Sequence, residues 1–249
     1  MTLMGVAIDR LTQRETIDRV LAELDAGRGG WITTPNLDQL RIASGSPEVR
    51  ELIAQADVSV ADGMPLVWAS ALLGDPLPER VPGSDLIWSL TAAVARRGGE
   101  VHLIGGAGDA GGRAAEILGA RNPALRGCAH LPLPMNFDPG SAQDVDGVRD
   151  ALRASTPALA FVGLGFPKQE RLIAAVRADF PQTWFVGVGI SLSFVAGDVR
   201  RAPRWMHAIG LEWVHRLIQE PRRLASRYLL YDLPFALRLA GHVIARRLG

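Results

Sequence analysis

The sequence predicts an α/β fold: a mainly parallel, Rossmann-like sheet flanked by helices and followed by a basic helical appendage. Short apolar runs alternate with longer amphipathic runs over most of the chain, and this alternation is typical of strands and helices in a parallel sheet. Residues 200–249 carry ten arginines against three acidic residues. We therefore divide the chain into an α/β domain, 1–199, and an arginine-rich helical appendage, 200–249.

Each predicted strand is a short run rich in β-branched or aromatic residues and bounded by turn-forming residues. In chain order these runs are GWITT, ADVSVAD, EVHLIGG, LRGCAHL, ALAFVGLG and TWFVGVG. Each is followed by a segment of helical length, which predicts helices on both faces of the sheet. Pro203 and Pro221 then punctuate a helical tail. Because ligands of such sheets bind beyond the carboxyl ends of the strands, the residues after each strand are the first candidates for a site.

The composition is that of a soluble globular protein, with 48% hydrophobic and 21% charged residues in 249. The chain has a single cysteine, Cys128, which excludes an internal disulfide and suits a reducing compartment. We interpret Cys128 as a small core residue. The amino terminus lacks the apolar region of a signal peptide. We therefore expect a cytoplasmic protein.

The net charge of +1 conceals an asymmetry, since the appendage carries +7 and the remainder −6. A basic tail of this kind suits nucleic acid, anionic lipid or a diphosphate substrate. Its most apolar stretch, YLLYDLPFALRLAGHVIA, is interrupted by Asp232, Pro234, Arg238 and His242, so we expect no membrane span. The tail instead predicts a helix that lies on an anionic membrane, packs on the body or pairs subunits in a homo-oligomer.

A glycine pattern follows the third predicted strand. Gly106, Gly108 and Gly111 have the G-x-G-x-x-G spacing that can hold a dinucleotide pyrophosphate. The next strand, however, ends in His130 and Leu131, with no acidic residue to bind a ribose hydroxyl. The pattern therefore favours a tight strand-to-helix turn, with an NAD-dependent oxidoreductase as the alternative.

No metal motif is persuasive. Asp144 and Asp146 form a D-x-D pair, but Ser141 stands three residues before Asp144, which favours helix capping. The five histidines are scattered singly without ligand spacing. We therefore expect no bound metal and no other cofactor.

The strand-end residues are better candidates. Thr34 and Asn36 follow the first predicted strand and Asp62 follows the second. Asn36 and Asp62 can each cap a helix, but Asp62 can equally accept a proton from a substrate hydroxyl. Lys168, the only lysine, begins a helix after a strand, where it can bind an anion or be an exposed first-turn lysine that pairs with Glu170 or a neighbour.

Several of these segments occur in one order that resembles a known family. The segments TPN, ADGMPLVWASALLGDPLPERVPGSDL, VGLGFPKQE and RAPRWMHAIGLEWVHRLIQEPRRLASRY resemble the WecG/TagA/CpsF glycosyltransferases, over about residues 5 to 235. The resemblance implies inverting, metal-independent transfer of a sugar from a UDP-sugar to a polyprenyl-diphosphate-linked acceptor. It also implies peripheral association with the inner face of the bacterial membrane, through the appendage.

The same resemblance implies roles for particular residues. Asp62 matches the general base, with Thr34 beside it. Asn36 and Gln169 match residues that contact the donor, and Arg216, Arg222, Arg223 and Arg227 lie in the segment that resembles the appendage of the family. The full set of candidates for donor or acceptor binding is Asn36, Gly63, Arg80, Asp85, Lys168, Gln169, Arg216, Arg222, Arg223 and Arg227. With no persuasive metal motif, stabilisation of the departing UDP falls to the arginines, the lysine or helix amino termini.

The sequence departs from the family after GVG, where relatives commonly have a glycine and then a Phe-Asp pair. Here Ile190 replaces the small residue, and Leu192 and Ser193 stand at the pair. The resemblance implies N-acetylmannosamine as the donor sugar, and the loss of this carboxylate leaves a related hexose, which some relatives use, as the alternative. A non-catalytic module that binds RNA or lipid is the remaining alternative, but the body lacks aromatic residues interleaved on a basic face, so we expect no nucleic-acid partner.

Overall fold

The computed structural model describes residues 1–203, 206, 211–219 and 221–248, with all their side chains except those of Arg223, Arg246 and Leu248. A short antiparallel hairpin opens the chain and a parallel sheet of six strands follows. The strands are β1 (Thr2–Leu3), β2 (Val6–Ala7), β3 (Gly30–Thr33), β4 (Val58–Ser59), β5 (Glu100–Gly105), β6 (Gly127–Leu131), β7 (Leu159–Gly163) and β8 (Trp184–Gly187). The order within the sheet is β4-β3-β8-β7-β5-β6. The six predicted runs are confirmed, whereas the hairpin was not predicted because each of its strands has only two residues.

Helices connect the strands and form the appendage. They are α1 (Gln13–Asp25), α2 (Leu37–Gly45), α3 (Pro47–Ala54), α4 (Met64–Leu72), α5 (Gly83–Ala95), α6 (Ala110–Arg121), α7 (Ala142–Arg153), α8 (Lys168–Val176), α9 (Ser191–Ala196), α10 (Glu212–Gln219), α11 (Pro221–Ser226) and α12 (Leu233–Leu248). A 3₁₀ turn, Arg177–Asp179, follows α8, and a π-helical segment, Arg227–Asp232, joins α11 to α12. Side chains of Thr12, Asn36, Ser46 and Ser141 cap α1, α2, α3 and α7, which satisfies backbone donors at these helix starts.

Both faces of the sheet are buried, so the strands read as continuous apolar runs. Phe161 and Val186 point into a core shared with α5 and α6. Their chain neighbours Ala160 and Phe185 point into a second core shared with α7 and α8. This alternation follows from the two-residue period of a strand, and it confirms the predicted helices on both faces.

The appendage packs on the body. Phe235, Leu239 and Val243, spaced by four residues along α12, are buried in a third core with Leu40 of α2 and Leu66 of α4. A spacing of four places these side chains on one helical face. One of the arrangements that the sequence allowed, a tail docked on the body, is therefore present, and the opposite face of α12 stays exposed.

Candidate active site

The carboxyl ends of β3, β4 and β8 meet at one edge of the sheet, because the three strands are parallel and adjacent. Thr34 follows β3, and Asp62 follows β4, where its backbone N–H donates to the carbonyl of Pro35 at 2.9 Å. The amino terminus of α5 closes on this edge: a Cβ on Gly83 would lie 3.5 Å from Thr34 Oγ1 and 3.5 Å from Val188 Cα. Thr34 and Asp62 therefore lie where ligands of parallel sheets bind.

Asp62 has the electrostatic properties of a base that works near neutral pH. Burial of its carboxyl raises the pKa to about 7, with a further contribution from the negative charge of Glu212. The guanidinium groups of Arg80 and Arg216 act in the opposite direction. A carboxyl with a pKa near the working pH can both accept and release a proton, which is what general acid–base chemistry requires.

Gly63 makes the turn from Asp62 into α4 possible. Its φ is +130°, a region that only glycine adopts at low cost. The carboxyl that the sequence identified as a candidate base is thus attached to a turn that a side chain at residue 63 would strain.

Arg80 lies in an ion pair with the appendage. Its Nη1 donates to Glu212 Oε2 at 2.9 Å, and the two side chains are only 16% and 21% exposed. A second appendage residue, Arg201, donates to Asp85 Oδ1 at 2.6 Å and to Ser84 Oγ at 3.1 Å. Two of the predicted binding residues, Arg80 and Asp85, are therefore held by charges from the appendage.

Arg216 has an unused donor beside this pair. Its Nε is buried without a hydrogen-bond partner in the described part of the chain, and its guanidinium lies 5.7 Å from the centre of the Phe194 ring. An aromatic face attracts a cation while leaving its N–H donors free. Arg216 is thus able to donate to an anion in the site.

Gln169 and Glu170, the first buried residues of α8, lie at the end of β8. Gln169 Oε1 accepts the backbone N–H of Gly189 at 2.9 Å, and its Nε2 donates to Glu170 Oε1 at 2.8 Å. Both side chains are almost fully buried. Burial raises the pKa of Glu170 to about 7, against the stabilising hydrogen bond from Gln169.

The exposed side chain of Lys168 points away from this pair. Its Nζ donates to the carbonyl of Phe137 at 3.4 Å, a contact with the segment that precedes α7. Glu170, its alternative partner at the sequence level, faces Gln169 instead. The ion pair between Lys168 and Glu170 was therefore a wrong alternative, because the first turn of α8 buries Glu170 and exposes Lys168.

Asn36 and Arg227 have structural partners. Asn36 Oδ1 accepts the backbone N–H of Gln39 at 3.1 Å, so the capping interpretation is confirmed for this side chain. Arg227 Nε lies 3.3 Å from Asp38 Oδ2 and 3.5 Å from Asp232 Oδ2, which ties the π-helical segment to α2. The appendage therefore reaches the helix that begins next to Thr34.

The two remaining predicted arginines lie on α11. Arg222 is exposed, and the side chain of Arg223 lies outside the described residues. Their contact with a substrate stays a prediction.

The glycine pattern forms a tight turn in which Gly111 packs closely against Gly105 and His130. A Cβ on Gly111 would lie 2.5 Å from the carbonyl oxygen of Gly105 and 2.1 Å from Nε2 of His130. His130 Nε2 itself bonds that carbonyl at 2.8 Å. The third glycine of the pattern thus lets α6 pack closely on the sheet, which confirms the tight strand-to-helix turn.

Leu192 fills the neighbouring crevice between β5 and β7. A Cβ on Gly163 would lie 2.7 Å from Leu192 Cδ1, and one on Gly106 would lie 3.2 Å from it. Leu192 is fully buried and Ser193 is 7% exposed. Leu192, at the phenylalanine position of the pair, therefore fills this crevice with apolar atoms, and the buried Ser193 stands where the carboxylate was expected.

The D-x-D pair is engaged in local structure. Ser141 Oγ accepts the N–H of Asp144, whose Oδ2 accepts the N–H of Asp138 at 2.8 Å. Asp146 pairs with Arg149 at 2.8 Å. The capping interpretation of this pair is confirmed.

Sequence reasoning missed three charged residues of the site: Arg201, Glu212 and Glu170. Glu212 carried a usable signal, because it is one of only three acidic residues in a segment with ten arginines. An isolated acid among arginines is a candidate ion-pair partner. Glu170 carried no signal, since an acid in the first turn of a helix is ordinarily exposed.

Comparison with known proteins shows which family and which kind of enzyme this chain is similar to. The family model described as "Glycosyl transferase WecG/TagA/CpsF family" matches residues 1–248. The N-acetylglucosaminyldiphosphoundecaprenol N-acetyl-beta-D-mannosaminyltransferase of Bacillus spizizenii is 32% identical over 200 residues, which are 80% of this chain and 75% of that protein. The family match extends over both the sheet and the appendage.

Proposed function

The chain belongs to the WecG/TagA/CpsF family of glycosyltransferases, and from this premise we propose which reaction it performs. It transfers N-acetylmannosamine or a related hexose from a UDP-sugar to a saccharide on a polyprenyl diphosphate, with inversion at the anomeric carbon. The acceptor is proposed from the relative, whose name specifies N-acetylglucosaminyldiphosphoundecaprenol. The product belongs to the assembly of a cell-surface polymer of the polysaccharide or teichoic-acid type.

The observation that carries this proposal is the partly buried Asp62 at the carboxyl edge of the sheet. Its pKa of about 7 leaves a large ionised fraction at neutral pH. In the proposed mechanism this carboxylate accepts the proton of the acceptor hydroxyl as the oxygen attacks the anomeric carbon. The bond from that carbon to the UDP oxygen breaks on the opposite face, which gives inversion.

Negative charge then develops on the departing diphosphate, and arginines neutralise it in this proposal. Arg80 and Arg216 are near enough to Asp62 to lower its pKa, and Arg216 has a buried unused donor. Hydrogen bonds from guanidinium groups to phosphate oxygens are strong and directional. Since the D-x-D carboxylates are engaged in capping and pairing, we propose that the transfer is independent of a metal ion.

The test measures UDP release from UDP-N-acetylmannosamine and UDP-glucose with an N-acetylglucosaminyl polyprenyl diphosphate, in EDTA and in Mg²⁺. We expect acceptor-dependent release from one donor in both conditions, and a product of inverted configuration by NMR. Asp62→Asn should lower the rate by about 10²- to 10⁴-fold, the usual contribution of a general base. Asp75→Asn, at the other end of α4 and paired with Arg10, is the matched control and should keep the wild-type rate. Equal activity in Asp62→Asn would remove Asp62 from the mechanism.

We also propose that the exposed face of the appendage contacts an anionic membrane surface, at the inner face of the cell membrane. No helix in the described part of the chain is long and apolar enough to cross a bilayer. The π-helical segment and α12 nevertheless expose large apolar side chains between arginines: Leu229, Leu230, Leu233, Leu237 and Ile244. Such a face suits a helix in the plane of a lipid interface.

Vesicle sedimentation separates this proposal from self-association. We expect binding to vesicles with anionic lipid, weaker binding to neutral vesicles, and loss of binding in Leu230→Glu/Leu237→Glu. Light scattering without lipid gives the oligomeric state of both proteins. A stable wild-type oligomer that this double variant dissociates, without vesicle binding, would assign the apolar face to a second copy of the chain.

A further inference from the structure

The side-chain amide of Gln169 has one defined orientation. The backbone N–H of Gly189 can only donate, so the atom that it contacts at 2.9 Å is the amide oxygen of Gln169. The amide nitrogen therefore faces Glu170 Oε1, at 2.8 Å. One N–H of this nitrogen is used by Glu170, and no hydrogen bond among the described residues uses the second, which is the donor that remains for a ligand.

The pair is packed directly on the strand end. A Cβ on Gly187 would lie 2.5 Å from Gln169 Nε2 and 3.1 Å from Glu170 Oε1. Gly189, which Gln169 holds, has a φ of +51° in the turn that follows β8. Val188 lies between these two glycines in the chain, and a Cβ on Gly83 would lie 3.5 Å from its Cα and 3.5 Å from Thr34 Oγ1. Glu170 is thus linked through Gln169 to the turn that borders the candidate active site.

The burial of the Glu170 carboxyl costs free energy that a residue with a purely structural role would not need to incur. It is 1% exposed, and its Oε2 is buried without a hydrogen-bond partner among the described residues. Its carboxyl receives the Gln169 N–H, and no cation in the described part of the chain forms an ion pair with it. An apolar side chain of similar size at this position would avoid the cost of burying that carboxyl.

We propose that Glu170 is a positioning residue for the transfer, which fixes the Gln169 amide so that its remaining N–H donates to an oxygen of the donor sugar or its diphosphate. This inference rests on the proposed function. If Glu170 were absent, the Gln169 amide nitrogen would lose its fixed partner and the amide could turn away from the ligand. Glu170 itself contacts no substrate and acts only through Gln169.

The experiment compares Glu170→Leu, Glu170→Gln, Gln169→Leu and the double variant Gln169→Leu/Glu170→Leu, with Glu116→Gln as the matched control. Glu116 is exposed on α6, so its substitution should change nothing. Glu170→Leu should raise the donor KM about tenfold, the effect of about one lost hydrogen bond. The acceptor KM should stay unchanged and the Tm should not fall. Glu170→Gln keeps an acceptor oxygen for Gln169 and should restore the wild-type donor KM.

The double variant gives the sharpest outcome. If Glu170 acts through Gln169, Glu170→Leu should have no further effect on donor KM in the Gln169→Leu background. Additive effects, or a donor KM in Glu170→Leu equal to that of the wild type, would overturn the inference and leave the proposed function in place. A wild-type protein that transfers neither sugar and does not bind UDP by calorimetry would overturn the proposed function and this inference together.

Discussion

Replacing Asp62 by asparagine should stabilise the protein at high pH and have progressively less effect as the pH falls. The folded-state pKa of Asp62 is raised from 3.8 to about 7, so folding favours its protonated form. The stability that this preference contributes is fully present below the unfolded pKa and is lost as the pH rises through 7. The asparagine side chain of the variant has no proton to lose in this range, so the variant escapes that loss.

The magnitude follows from the width of the pH window. One pKa unit corresponds to about 1.4 kcal/mol. The unfolded carboxyl is already ionised at pH 5, and the folded pKa lies about two units higher. Over this range the wild type should therefore lose up to about 3 kcal/mol of unfolding free energy relative to Asp62→Asn. In a chain of this size that difference corresponds to roughly 6–12 °C in Tm.

Urea denaturation at constant ionic strength, from pH 5 to pH 8.5, measures this difference. The free energy of unfolding of Asp62→Asn minus that of the wild type should rise with pH and level off above pH 8. Asp75→Asn serves as the control for removing a carboxyl, because the Asp75 side chain pairs with Arg10 away from the candidate site. A pH-independent difference for Asp62→Asn would refute the assignment of a raised pKa to the carboxyl of residue 62.

Three further outcomes follow from the structure. The transfer rate should increase with pH through about 7 as Asp62 ionises. In Glu212→Gln the acid limb of the pH–rate profile should move to lower pH, because Glu212 raises the pKa of Asp62. Profiles measured on the wild type and on this variant check both expectations. Gly111→Ala should destabilise the fold by about 1–3 kcal/mol, since its Cβ would meet the Gly105 carbonyl at 2.5 Å. By contrast, Gly112→Ala, whose Cβ would lie 3.6 Å from the nearest atom, should be tolerated in the same thermal melts. Phe235→Ala should cost about 3–5 kcal/mol of stability and increase protease cleavage of the appendage, whereas Leu237→Ala on the exposed face should do neither.

The architecture of the sheet was available from local patterns alone. Short apolar runs separated by amphipathic segments imply a parallel sheet covered on both faces, because each strand must bury two faces and each helix one. Asp62 and Thr34 were found by the same reasoning, as polar residues directly after strands. The boundary between the body and the appendage stays a prediction, and what the structure adds is that Phe235, Leu239 and Val243 dock on the body.

The contacts that give these residues their chemistry were decided by tertiary structure. Glu212 meets Arg80 across 132 residues of chain, and Arg201 meets Asp85 across 116. No local pattern encodes such a pairing, because it depends on where the appendage folds back. The partial burial of Asp62 likewise depends on every element packed around it.

Local patterns were enough to predict the six strands, the polar residues that follow them, and a family resemblance that the comparisons confirm. The folded chain was needed to show that Glu170 is buried and bonded to Gln169, that His130 packs against Gly111, and that the appendage supplies charges to Asp62. The two groups of features differ in the distance along the chain between the residues that interact. Strand and helix patterns depend on neighbours a few residues apart, whereas desolvation and ion pairing depend on groups brought together from the whole chain.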